Sequence, residues 1–248
     1  MIQTVASTSY ERIAERYEHE RGGKARATVI AEGLLPWLTP SAPAIDVGVG
    51  TGIIARTLMD QGVPVIGVDL SAGMLSQASV RLPGAAVLAD AVALPVSTGS
   101  MGAAMFVWSL HHVGDPVAAF HEAGRVISSD GRVIVVSATP ENVPDDVQEL
   151  FRRLDVLSPP RATDWIVQNA TSAELRLVAA THLEIGVSRS PLDLVKQIED
   201  RLYSPLWDLD TERWDSIVVP ILTDLRDPDD PYRKRSSTLL SPLLVFES

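Results

Sequence analysis

Cysteine is absent from this chain of 248 residues. That excludes disulfides, thiolate metal sites and thiol nucleophiles, and it fits a cytoplasmic location. Basic residues are scarce: 21 Lys and Arg stand against 32 Asp and Glu, a formal net charge of −11. Proteins that hold DNA or RNA by its phosphates need clustered cations to displace counterions. The densest basic run is Arg233-Lys234-Arg235, which reads as a solvated loop. Neither nucleic acid nor an anionic membrane surface is an expected partner. Long apolar runs are missing as well, and none approaches the ~18 residues of a membrane span. The opening MIQTVASTSYER has no basic segment leading into an apolar one, so secretion is not expected either. The five histidines include no His-x-x-x-His pair, and adjacent histidines rarely chelate one ion, so no metal site is expected.

What is present is an ordinary globular composition, 46% hydrophobic and 21% charged, on a chain long enough to bury a core without a covalent staple. Thr8-Ser9-Tyr10-Glu11 reads as a capping box opening a helix with Tyr10, Ile13, Ala14 and Tyr17 on one face. After Gly22-Gly23 a second helical pattern carries Ala27, Ile30, Ala31, Leu34, Leu35 and Leu38. From residue 44 the rhythm changes. Short apolar runs at 44–48, 64–69, 85–89, 101–108 and 131–138 alternate with helices, the pattern of a parallel sheet with crossovers on both faces. Ser71 and Asp115-Pro116 supply two of the helix starts. Further on, a helix is expected near Thr171–Thr181 and a strand over 182–189. The segment 190–235 reads as helical and acidic, with eleven acids against four bases between Asp193 and Asp230. A last strand over 238–247 is expected at the sheet edge, because Pro242 has no N–H for a central ladder.

The stretch AIDVGVGTG, residues 44–52, is the chemically informative one. A glycine-rich turn between strand and helix ordinarily cradles phosphate through backbone N–H groups and the helix dipole. Gly50-Thr51-Gly52-Ile53-Ile54-Ala55 even satisfies the loose G-x-G-x-x-A dinucleotide pattern, so a nicotinamide-dependent oxidoreductase is one reading. The acids argue against it. Asp46, Asp69 and Asp90 stand at or just after three successive strand ends, where ligands of doubly wound sheets bind. Asp69, 21 residues after Gly48, is placed to accept ribose hydroxyls. Like charges about 4 Å apart repel by roughly 4 kcal/mol at an effective dielectric near 20. A carboxylate at the loop therefore penalises pyrophosphate and favours a nucleoside bearing an ammonium and a sulfonium. Asp90 would face its adenine amine, and Asp46 its cationic amino-acid end.

The successive segments D-x-G-x-G-x-G (Asp46, Gly48, Gly50, Gly52), VIGVDLSAGML (65–75), ADAVALP (89–95) and SLHHVGDPVAAFHEAGRVISSDGRVIVV (109–136) together resemble the class I S-adenosylmethionine-dependent methyltransferases. The similarity is greatest to the small-molecule branch called methyltransferase type 11. It implies an α/β, doubly wound, Rossmann-like fold, with a seven-stranded, mostly parallel sheet, an antiparallel last strand and a helical cap insertion. The implied domains are lid helices over 1–43, an S-adenosylmethionine-binding domain over 44–189 and 236–248, and the cap over 190–235. By the same resemblance Leu70 and Met74 pack on ribose and adenine, Ala91 meets the base through its backbone, and Val107 helps hold the methionine end. Two departures stand out: Met101-Gly102 where the family often has Phe-Asp, and Ser128-Ser129-Asp130-Gly131 in place of a Lys-Pro-Gly-Gly turn.

Methyl transfer is an in-line displacement at an activated carbon, so alignment and exclusion of water are the main requirements. An acidic acceptor also needs a base, and His111 and His112 follow the fourth strand. A loop-capping and packing role for the pair is the alternative. Tyr10, Tyr17 and Arg21 are candidates for closing over a small-molecule substrate, and Trp165, Trp207 and Trp214 for an aromatic pocket. Of these three, Trp207 is the candidate substrate contact. A third reading keeps the cofactor but not the transfer: a regulatory module or a repurposed cyclase, which fold alone does not exclude. Oligomeric state is not legible in these residues.

Overall fold

The computed structural model describes residues 23–39, 41–137, 149–150, 152–157, 162–207, 209–227 and 229–248. Seven strands form one sheet: β1 Ala44–Val47, β2 Val65–Asp69, β3 Ala86–Leu88, β4 Met101–Val107, β5 Ile127–Val136, β6 Arg176–Arg189 and β7 Arg235–Glu247. Their order is β3-β2-β1-β4-β5-β7-β6. The pairs β1–β2, β1–β4, β2–β3 and β4–β5 are parallel, and β5–β7 is antiparallel. Helices α1 Gly23–Leu34, α2 Ile53–Asp60, α3 Ala72–Arg81, α4 Pro116–Val126 and α5 Thr163–Ser172 accompany the first strands. Helices α6 Pro191–Glu199 and α7 Val219–Arg226 come later in the chain. The described residues divide into two compact units, those within 1–139, 161–183 and 241–248, and those within 140–160 and 184–240.

In the first unit the pleat sorts side chains to two faces. Ile45, Val47, Ala104, Phe106, Val133, Val135, Leu244 and Phe246 join one core with Phe120 and Ala123 of α4 and Ile166 and Ala170 of α5. The Phe120 ring lies 5.8 Å from Phe106 and 5.9 Å from Phe246, spacings typical of edge-to-face or offset packing. Intervening positions of the strands point to the opposite face. Asp46 is one of them, paired in register with Gly67 on one side and Met105 on the other.

Helix starts follow local chemistry. Ser71 Oγ accepts from Met74 N–H at 3.2 Å and an Asp115 carboxylate oxygen from Ala118 N–H at 2.9 Å, with Pro116 at the first helical position. In the second unit Ser190 and Asp193 form a reciprocal capping box for α6. Around it Leu194, Ile198, Leu206, Val218, Ile221, Leu222 and Leu225 make a separate core with Leu154. None of the described acids of the 193–230 stretch is buried, which makes them a wetted face.

Two expectations are corrected. β7 is not an edge strand, since β6 lies outside it. Pro242 is tolerated there because its ladder role is to accept: its carbonyl takes Ser137 N–H at 2.8 Å, just before the register pairs of 243–246 begin. The helix expected over 171–181 ends at Ser172, and 176–189 is strand. Ala173 closes the helix, and Glu174 at φ 63° turns the chain into β6; sheet pairing overrides the helical propensity of Ala-Glu-Leu-Arg. The tracts 1–22 and 138–148, including the capping box, lie outside the described residues.

The first of the family departures has a packing reason. A Cβ on Gly102 would stand 2.5 Å from Ala42 Cβ, so the loop before β1 occupies the space an aspartate would need. In the second, the retained Gly131 sits where β5 shifts register between Ile127 and Arg132, opposite Met101 and Ala103 of β4, with a Cβ there 2.7 Å from Ile127 Cβ; nothing in the structure explains the serines and aspartate before it. Restoring the family residue with Gly102→Asp should lower stability by about 1–3 kcal/mol. The check is the urea midpoint, and adding Ala42→Gly should recover part of the loss.

Candidate functional site

Strand order reverses between β1 and β4, which opens a crevice beyond their carboxyl ends. The backbone leaves β1 through Gly48, Gly50 and Gly52, all left-handed with φ of 78°, 57° and 77°. Gly48 is needed for close approach as well, because a Cβ there would meet Ser109 Cβ at 2.4 Å. At Gly52 a Cβ would press on Ala78 and Leu82 of the α3 segment at 3.2 Å. Around Gly50 nothing lies within 4 Å, so that turn presents an open backbone surface.

Asp69 at the end of β2 ties this loop down. Its Oδ2 accepts Gly50 N–H at 2.9 Å and its Oδ1 accepts Ser71 N–H at 2.8 Å. Each carboxylate oxygen keeps further acceptor capacity. Gly48 and Val49 N–H groups both donate to Val68 carbonyl, at 2.8 and 2.9 Å. Ser109 Oγ donates to Val47 carbonyl, joining the turn after β4 to the end of β1.

The electrostatics centre on Asp46, which is only 2% exposed. Its in-register neighbours are a glycine and a methionine, and its Oδ1 has no hydrogen-bond partner among the described residues. Burial pushes its carboxyl from the usual 3.8 up to about 7, and the Asp69 charge adds to the rise. Burial also raises Asp69, against the lowering effect of backbone donors at Ser71, Gly50 and Leu70.

The remaining sequence candidates divide. Leu70, directly after Asp69, is 46% exposed, unusual for leucine and suited to an apolar ligand face. Met74 and Val107 are buried, at 1% and 7% exposure. Asp90 accepts Val92 N–H at 3.2 Å in a turn closed by an Asp90–Ala93 bridge, and Ala91 packs against the first core. His111 and His112 share one helical turn with ring centroids 3.8 Å apart. Tyr10, Tyr17 and Arg21 lie outside the described residues. Trp165 packs on the core of the first unit. In the second unit Trp207 Nε1 donates to Arg201 carbonyl at 2.8 Å, and Arg201 stacks on Trp214.

Two residues escaped the sequence reading. Ser109 is the stitch just described. Trp108, immediately after β4, has φ 56°, an outlier for a bulky side chain that costs of order 1–3 kcal/mol. Its ring lies under the Arg26 guanidinium at 3.6 Å, and its Nε1 donates to Ser241 Oγ at 3.4 Å. No sequence pattern announces a lone outlier of this kind; position after a strand is the only cue.

Among the described residues, the fold is a doubly wound domain whose crevice at the point of strand reversal carries the two acids Asp46 and Asp69. Residues 45–135 match the family model of the methyltransferase domain. A demethylmenaquinone methyltransferase of Beutenbergia cavernae is 32% identical over 154 residues, covering 58% of this chain and 62% of that protein. One from Renibacterium salmoninarum is 34% identical over 97 residues, covering 39% of this chain and 41% of its own. The chain thus spans less than two thirds of the length of these curated relatives. Among solved structures, the [4+2]-cyclase SpnF superposes with a TM-score of 0.65 at 15% identity, over 97% of this chain and 94% of its own. A geranyl diphosphate methyltransferase in complex with S-adenosylmethionine gives 0.55 at 18% identity, over 89% and 84%. At such identities the likeness is one of fold. No helix among the described residues is long and apolar enough to cross a membrane.

The raised Asp46 carboxyl has a stability signature. The folded protein holds this proton to higher pH than the unfolded chain, so the group withdraws stability as pH rises from about 4 to about 7. Ligand-free wild type should lose stability over that window relative to Asp46→Asn, and the two should run parallel above it. Urea midpoints measured across pH check this.

Proposed function

We propose that this protein is an S-adenosylmethionine-dependent methyltransferase acting on a small-molecule acceptor by in-line displacement. The observation that carries it is Asp46: a buried carboxyl with an oxygen that has no partner among the described residues, beside an open glycine turn, fits a cationic ligand and offers a pyrophosphate no counter-charge. That disfavours the nicotinamide reading. When bound, S-adenosylmethionine supplies the activated methyl group. The chain's own tasks are then to hold and to orient. Asp69 would accept the ribose hydroxyls with the lone pairs left by Gly50 and Ser71. Leu70 would cover the nucleoside, and the Gly48–Gly52 turn would meet the amino-acid end. Asp90 and Ala91 would bound the base, with Met74 and Val107 supporting from the interior. His111 or His112 would take the proton of an acidic acceptor. The proposal includes a cytoplasmic enzyme, residues 1–43 as the lid segment with Tyr10, Tyr17 and Arg21 toward substrate, 44–189 with 236–248 as the donor-binding domain, and 190–235, with Trp207, as an insertion.

Thermal shift tests the donor first: S-adenosylhomocysteine should raise the melting temperature, and NAD or NADP should not. Asp69→Ala should weaken S-adenosylhomocysteine binding at least ten-fold in calorimetry with an unchanged circular dichroism spectrum. Transfer of labelled methyl to small molecules of a cell extract then tests the reaction. Loss of turnover in His111→Ala or His112→Ala with donor affinity retained identifies the base. Binding without any transfer would instead indicate a donor-binding protein that is not a transferase.

A further inference from the structure

We propose that Asp46 is a neutral carboxylic acid in the ligand-free protein and gives its proton to solvent when a cationic amino-acid group docks against it, so that donor binding releases a proton. This rests on the donor-binding reading above and adds to it a protonation change.

Among the described residues the geometry leaves the ionised form without a counter-charge. Asp46 lies on β1, 2% exposed, between Gly67 and Met105, neither of which offers a donor side chain. Its Oδ1 has no partner among the described residues. An ionised carboxylate that is buried and only partly hydrogen-bonded is costly, and such groups hold their proton instead. The charged groups on neighbouring elements do not relieve it. β2 brings Asp69, another acid whose charge raises Asp46 further, and β4 carries no titratable residue. On α2, Arg56 pairs with Asp60 at the surface. At the end of α3, Arg81 donates to Thr51 carbonyl. From α1, Arg26 lies over Trp108. His111 and His112 follow β4 and pack ring against ring. A docked ammonium would be the missing counter-charge, and its arrival would lower the carboxyl's proton affinity in the way any close cation does. Asp69 differs in its surroundings: Gly50 and Ser71 N–H groups donate to it and offset part of the rise that burial causes.

The test is calorimetry of S-adenosylhomocysteine binding in two buffers of different ionisation heat. Close to one proton should leave per ligand at pH 6 and almost none at pH 8. Affinity should climb about ten-fold per pH unit on the acid side and flatten above neutrality. Methylthioadenosine, which lacks the amino-acid end, should bind with no proton release. In Asp46→Asn the release at pH 6 should vanish and the affinity should become flat with pH. Should that variant not fold, the infrared difference spectrum of wild type reads the same event, as loss of a protonated-carboxyl carbonyl band when S-adenosylhomocysteine is added. S-adenosylhomocysteine binding without proton release, or with release unchanged in Asp46→Asn, overturns the inference and leaves the donor reading standing. No binding at either pH removes both.

Discussion

The structure turns on one carboxylate latch. Asp69 receives two backbone N–H groups from separate loops, Gly50 after β1 and Ser71 before α3. It thereby sets where the glycine turn stands relative to the sheet. Charge-assisted hydrogen bonds of this kind are roughly twice as strong as neutral ones. Ser109 adds a second fastening from the β4 side, so the turn is held across the point where strand order reverses. The open surface at Gly50 is the part left for a ligand.

The latch has an electrostatic consequence for its neighbour. A second acid, Asp46, is buried on the adjacent strand, and among the described residues it has no counter-charge and one oxygen without a partner. A fold optimised only for stability would place an apolar side chain there, since a buried polar group without its partners costs free energy. Retaining a carboxyl at that spot makes sense when its partner arrives from outside.

Much of the first unit was legible because its signals are local. Apolar runs marked β1 to β4 to within a residue or so, and Ser71 and Asp115 cap their helices through the hydrogen bonds their side chains favour. Other features depend on remote partners. β6 begins at Arg176 inside a helix-like stretch, because β-pairing outweighs propensity there. Pro242 misled because its missing N–H mattered less than its carbonyl. The exposure of Leu70 and the burial of Met74, four residues apart, follow from which face of the chain meets the core.

By itself the sequence determined the class of fold, the glycine turn and the acidic character of the crevice, since strand alternation, positive-φ demand and formal charge are properties of short stretches. Only the tertiary structure decided that Asp69 is a latch, that the Asp46 carboxyl is buried with its proton affinity raised, and that Trp108 takes a left-handed backbone beneath Arg26. Burial, missing partners and backbone strain are relations between segments distant in the chain, and they come into being only when those segments pack.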